Sequence, residues 1–356
     1  DTTIEDGADL ITATAGTSNV RIGVNTGNSI TSGGNYNVLV GDEAGTAITT
    51  GDNNVALGFE ALKTEDTSGS ATAIGYQALR VQNSGGSNSH NSAVGAGAGT
   101  SITTGNQNTI FGSAAADALT DADFNVAMGY NALSSDTLGS KSTALGTDTL
   151  ATQNFTTATD SFNTAVGYQA GTAVTTGVQN TIVGALAGDA LTDADRNVGL
   201  GYNALTTNTV GSRSVAIGTS ALSVQNPATA TDMYNVAVGD DCGKLISTGT
   251  RNTLVGGLAG DAITTGDQNT VLGALALSEE TTGEYSVAVG YQALAVQNST
   301  TGASMYNTAV GYKSGFSVTT GNQNTLIGAL AGDSLTSGDN NVVVGMNALS
   351  ADTLGD

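Results

Sequence analysis

A parallel β-solenoid is the fold class that this sequence predicts: an all-β coil of about nineteen short turns. Three observations predict it. The motif Asn-x-x-apolar-Gly opens a segment at Asn19, Asn91, Asn163, Asn235 and Asn307, at intervals of 72 residues. Within each interval the same opening returns about every 17 residues. Glycine makes up 50 of the 356 residues and recurs inside every segment, where each would cost a helix about 1 kcal/mol.

The nineteen turns begin at residues 19, 37, 54, 71, 91, 108, 125, 142, 163, 180, 197, 214, 235, 252, 269, 286, 307, 324 and 341. Their first four residues are rich in Thr, Val and Ile, which suit a pleated surface, and predict a short strand. The fourth position is apolar in every turn, from Ile22 and Val40 to Val344. The fifth is always Gly, as in Gly95, Gly112, Gly129, Gly167, Gly184 and Gly201. Gly reaches positive φ without a steric penalty, so these are expected to be corners, with a second corner at glycines such as Gly177. The eighth position is small: Ala, or else Thr26, Thr149, Cys242 or Ser314. Seventeen extended residues enclose a perimeter of at most about 56 Å, leaving room for one thin apolar layer that a larger side chain at position eight would overpack. Stacked at about 4.8 Å per turn, nineteen turns predict a rod roughly 90 Å long.

The domain organisation follows from the repeat. Residues 1–18 fit the turn poorly and read as a lead-in or cap; residues 19–356 read as one continuous solenoid of super-repeats 19–90, 91–162, 163–234 and 235–306 and a partial 307–356. Position nine is Gly in the first two turns of a super-repeat and Leu in the last two, with Ala116 the departure. The fourth turn carries Gln-Asn followed by a variable polar insertion, at Gln82, Gln153, Gln225 and Gln297. These insertions read as surface loops, in which Phe155, Pro227, Met233 and Met305 are the exposed contact candidates.

Composition excludes several classes. The chain carries 31 acidic and 9 basic residues, a net charge of −22, so it repels phosphate and anionic lipid; no nucleic acid and no membrane insertion are expected. The lone Cys242 forbids an intrachain disulfide network; at a small position it reads as a packed, inert thiol. A chain that does not start with Met and stops partway through a super-repeat is expected to be processed or a fragment.

The opening Asn stands in fifteen of nineteen turns, replaced by Ala71, Ser142, Ser214 and Ser286 in the fourth turns. Asn91, Asn108, Asn125, Asn163, Asn180, Asn197, Asn235, Asn252 and Asn269 are therefore expected to stack into an amide ladder, bonded head to tail. All ten Tyr fall at turn position six or at the turn end, where an apolar ring with a polar tip suits packing between chains. The strings Asp121-Ala-Asp123 and Asp193-Ala-Asp195, each followed closely by Asn, make those four residues the candidate calcium ligands. The Gly and the distal Glu of a full calcium loop are missing, and no bound metal or other cofactor is expected. One His and one Cys form no catalytic pair, and the acids follow the repeat rather than a cleft, so no enzyme is expected. Thr pairs such as Thr103-Thr104 suggest ice binding, but adjacent strand residues point to opposite faces.

Asn-Thr-Ala-Val-Gly-Tyr-Gln-Ala at 163–170, Asn-Val-Ala-Leu-Gly-Phe-Glu-Ala-Leu at 54–62 and Ser-Val-Ala-Val-Gly-Tyr-Gln-Ala-Leu at 286–294 resemble the shaft repeats of bacteriophage tail fibres, many of which precede an endosialidase-type chaperone domain. They are also similar to the head repeats of YadA-type trimeric autotransporter adhesins, whose repeat is shorter. The resemblance spans residues 19–356. It implies a left-handed parallel β-roll assembled as a homotrimer, outside the cell, on a virion. Its expected role is that of a fibre shaft that positions a receptor-binding part for host attachment, with other fibre or baseplate proteins and a host surface glycan or protein as further partners. The alternative is a bacterial cell-surface adhesin or extracellular filament.

Overall fold

The computed structural model describes residues 15–354. The chain is an all-β parallel β-solenoid of about nineteen turns, with no helix among the described residues. It divides into two compact units, Asp1–Phe162 and Asn163–Asp356, at the boundary between the second and third super-repeats. Most of the expected cap, residues 1–14, lies outside the described residues.

In the first unit eight three-residue strands stack in parallel: Val20–Ile22, Val38–Val40, Val55–Leu57, Thr72–Ile74, Ser92–Val94, Thr109–Phe111, Val126–Met128 and Thr143–Leu145. Each residue pairs with its equivalent one turn on, so Val38 lies beside Val55 and Thr109 beside Val126. The second unit stacks eleven such strands, from Thr164–Val166 to Val342–Val344, in the same register. The insertions add short parallel pairs of their own: Gly139–Ser140 with Thr159–Asp160 in the first unit, and Gly211–Ser212 with Thr231–Asp232 in the second.

Strand alternation decides what the interior holds. The opening Asn points inward, so the third position also points inward and is buried, as at Leu39, Ala56 and Ile110 in one unit and Ile182, Ala237 and Leu254 in the other. The invariantly apolar fourth position therefore faces out. Position eight is buried at Ala44, Ala98, Ala170 and Ala259, and Cys242 shares that place.

The fifth-position glycines have a backbone that no other residue adopts readily. Gly95, Gly112, Gly129, Gly167, Gly184 and Gly201 have φ between +135° and +149°. A Cβ on Gly184 would also lie 2.5 Å from the Gly201 carbonyl oxygen on the next turn. Gly177 differs from the expected corner. Its φ is not positive; it is Gly because a Cβ would sit 2.4 Å from the Ala194 oxygen. Position nine is left-handed in either form, with φ of 49–58° at Leu62, Leu79, Leu133, Leu150, Leu205, Leu222, Leu277 and Leu294.

Position nine alternates for reasons of volume. Where it is Gly, position twelve supplies the large aliphatic group, as in Gly45 with Ile48 and Gly188 with Leu191. A Cβ on Gly188 would meet Leu191 Cδ1 at 2.7 Å. Where position nine is Leu, position twelve is polar yet equally buried in every turn but the last: Glu65, Gln82, Asp136 and Gln153 in the first unit; Asn208, Gln225, Glu280 and Gln297 in the second, with Asp352 exposed. One corner holds one large aliphatic side chain, and whichever position does not supply it is free to be small or polar.

Candidate functional site

The opening asparagines form a buried column, but not the head-to-tail ladder expected. Asn180 is typical. Its backbone N–H donates to Asn163 Oδ1 at 2.9 Å, its own Oδ1 accepts from the Asn197 N–H at 2.9 Å, and its Nδ2 donates to the Ala194 carbonyl at 2.8 Å, closing its own turn. Asn91, Asn108, Asn125, Asn235, Asn252 and Asn269 likewise donate Nδ2 to a carbonyl of their own turn. Bonds from one opening Asn amide to the next are few and long, 3.0–3.3 Å, such as Asn108 Nδ2 to Asn91 Oδ1 at 3.2 Å. The reason lies at the corner, where peptide groups cannot join the strand ladder and a side chain must satisfy them. Fifteen buried amides, all but Asn341 bonded through both oxygen and nitrogen, are a stitch, not a ligand site.

The fourth turns, which lack this Asn, use the glutamine of position twelve instead. Gln82 Oε1 accepts from Asn91 Nδ2 at 2.8 Å in the first unit, and Gln225 and Gln297 accept from Asn235 and Asn307 at 3.0 and 2.8 Å in the second. The other end of the glutamine reaches a buried acid one turn earlier. Gln82 Nε2 donates to Glu65 Oε2 at 3.1 Å, Gln153 Nε2 to Asp136 Oδ2 at 2.6 Å, and Gln297 Nε2 to Glu280 Oε2 at 2.8 Å. All three acids are fully buried. Their second oxygen takes backbone donors. Asp136 Oδ1 accepts from the Gly139 and Phe155 N–H groups at 3.0 and 3.1 Å. Glu280 Oε1 accepts from Gly283 and Ser299 at 2.7 and 3.0 Å. Phe155 and Ser299 begin their insertions, so the carboxylate clasps the insertion to the core. Burial pushes the Asp136 carboxyl above its ordinary value, against the opposing effect of these hydrogen bonds.

The third super-repeat breaks the pattern twice. The residue equivalent to Phe155 and Ser299 is Pro227, which has no N–H, and the residue equivalent to Asp136 and Glu280 is Asn208. Among the described residues the Asn208 side chain bonds only Gly211, Oδ1 accepting from its N–H at 2.9 Å and Nδ2 donating to its carbonyl at 2.8 Å. Gln225 Nε2 is left buried without a hydrogen-bond partner.

The expected loop contacts are corrected. Phe155, Met233 and Met305 are 6%, 0% and 2% exposed, and Pro227 is buried. Two insertions fold back as short strands and a third makes a single bridge at Ser304, and Phe155, Met233 and Met305 turn into the longer fourth turn. The calcium candidates do not converge. Asp121 accepts from Thr104 Oγ1 at 2.5 Å and Asp193 from Thr192 Oγ1 at 3.3 Å, while Asp123 and Asp195 accept the backbone N–H groups of Asn106 and Val178 at 2.7 and 2.8 Å. No group of three or more metal-ligating side chains forms among the described residues. Cys242 is fully buried with its thiol against the Leu254 carbonyl at 3.4 Å, and burial pushes its pKa up to about 12, which leaves it protonated and inert at neutral pH.

What the molecule presents outward is the strand face. Positions two and four line it with Thr, Val, Ile, Leu, Phe and Met, one Ser at Ser92, and no charged residue. Among the described residues, the exposed large apolar side chains belong to positions two, four and six or to the residue before the Asn, apart from Val224, Leu245, Leu258, Leu349 and Leu354. Phe111 is 55% exposed, Leu272 50% and Tyr168 53%. Rings stack along the columns, Phe59 on Tyr76 in the first unit, and Tyr285 on Tyr306 and Tyr291 on Tyr312 in the second, with centroids 5.1–5.8 Å apart. The sequence signal for this face was the period-two phase set by the inward Asn. The buried acids could have been found from their coincidence with Leu at position nine.

No family model matches the chain, and no curated protein matches it at significant similarity. The class that fold and site define is a parallel β-solenoid with an interior sealed by amide stitches and an apolar outer sheet face.

Proposed function

We propose that this chain is the structural shaft of a phage tail fibre or similar virion appendage, assembled outside the cell as a homotrimer and holding a receptor-binding part away from the particle. The observation that carries the reading is the uncharged apolar face repeated on turn after turn. Contiguous apolar surface of that kind marks a protein contact, and a surface that recurs with the repeat suits a partner with the same repeat, namely a second copy of the chain. Apart from the three buried acids, the acids lie beside or beyond that face, where they keep an assembled particle dispersed. The acid clasp and the Asn stitch leave the interior without a free polar group to offer a ligand in most turns, which suits spacing rather than chemistry.

Immunogold labelling with an antibody to residues 163–234 tests the assignment. Label along the tail appendages of purified phage particles is the expected result. Label confined to a bacterial envelope overturns the virion assignment and favours the adhesin. Sedimentation velocity tests the assembly: a trimer mass is expected at micromolar concentration, and a monomer overturns it.

A further inference from the structure

We infer that neighbouring copies join head to tail around an axis parallel to the stacking direction, with Arg251 of one copy on Asp240 of the next. This rests on the self-association proposed above and adds its geometry.

The two ends of the strand face differ in charge. At one end is the residue before each opening Asn. In nineteen turns that position holds no acid, yet it holds Lys141, Arg196, Arg213 and Arg251, four of the nine basic residues of the chain. It is also left-handed, with φ of 62°, 57°, 62° and 58° at these four. Gly, and after it Asn, would meet that conformation at lower cost, yet these four turns place a long cationic side chain there. At the other end, positions six and seven, stand Asp42, Glu43, Glu60, Asp148, Asp240 and Asp241, with Lys313 the one cation.

Most of these charges already have partners within the chain. In the first unit Lys141 pairs with Asp160 at 2.6 Å and lies over the Phe162 ring. In the second, Arg213 pairs with Asp232 at 2.9 Å and lies over Tyr234, Arg196 Nε donates to Gln179, and Asp241 pairs with Lys244. Arg251 and Asp240 are exposed, and among the described residues neither side chain has an ion pair or hydrogen bond. They stand at opposite ends of the face on adjacent turns, those opening at Asn252 and Asn235.

A rotation about an axis along the stacking direction leaves height unchanged, so each turn meets the same turn of the next copy. The cationic end of one face then meets the acidic end of the next. Arg251 and Asp240 differ in height by one strand spacing, about 4.8 Å, which an arginine side chain spans. A two-fold dimer with antiparallel chains would instead bring different turns together and leave both residues unpaired.

The test is sedimentation velocity on wild type, Arg251→Asp, Asp240→Arg and the combined swap, with circular dichroism to verify the fold. Both sites are exposed, so the β signal is expected to be unchanged. Each single variant sets like charges against one another across the interface and is expected to raise the half-assembly concentration at least about tenfold, with the swap returning it to within about threefold of wild type. In 1 M salt the single-variant effect is expected to shrink. Single variants that assemble like wild type, a swap without rescue, or a two-fold dimer overturn this pairing while leaving self-association intact. A monomeric wild type overturns both.

Discussion

At turn position twelve the acids of the second and fourth super-repeats have a donor from the insertion that the amide of the third lacks. A buried carboxylate without a cation is tolerated only when N–H groups fill its lone pairs. Asp136 and Glu280 receive one from the insertion, at Phe155 and Ser299. Pro227 cannot supply it, and Asn208 stands where the acid would be. Asn208→Asp is therefore expected to destabilise the chain by about 1–3 kcal/mol, the range for a buried group short of a partner. In a Pro227→Ala background the same change should cost about 1–2 kcal/mol less, because the insertion regains its N–H. Thermal unfolding of the four proteins measures this coupling; a cost independent of residue 227 would contradict the donor account.

Between corners, the element is designed around a single large aliphatic group. Leu at position nine and Ile, Leu or Val at position twelve occupy overlapping space, so they exclude each other from turn to turn. Gly188→Leu is expected to lose about 2 kcal/mol through overpacking against Leu191, since its φ of +52° is one that Leu adopts at the equivalent corners. Adding Leu191→Asn recreates the arrangement of Leu205 with Asn208 and should recover at least half of that loss. Chemical denaturation of the single and double variants reads it directly, and a double variant less stable than the single one would refute the volume exchange.

Over the whole chain, charge sets the conditions of stability. Burial raises the carboxyls of Asp117, Asp136 and Asp261 above their ordinary value. A carboxyl raised in the folded state binds its proton more tightly there than in the unfolded chain. Its stabilising contribution is thus complete below the unfolded value and is lost as pH rises through the folded one. The net charge of −22 acts in the same direction, since acidification relieves self-repulsion. The melting temperature is expected to rise as pH falls from 7 toward about 5, and at pH 7 to rise with added salt. Differential scanning calorimetry across pH provides the check, and a maximum at alkaline pH would be inconsistent with it.

The solenoid itself was legible in the repeat. A Gly every turn at position five, small residues at position eight and a period of about 17 residues leave few other ways to pack so thin an apolar layer. The Asn column was legible as a column, but its bonding was not. Sequence shows that Asn recurs, whereas only the backbone path shows that the next turn's N–H, rather than the next amide, lies in front of Oδ1. The insertions misled for a related reason. Polar, variable stretches read as surface, yet Phe155, Met233 and Met305 turn inward where the fourth turn has more residues to enclose them.

The sequence by itself determined the coil, its period and its corners, because those depend on local properties: φ at Gly, strand preference, and volume repeated at a fixed phase. Only the tertiary structure decided which face is interior and how buried polar groups are satisfied. A one-residue change in the phase of a strand exchanges its two faces, and it is the neighbouring turn that supplies the hydrogen-bond partners.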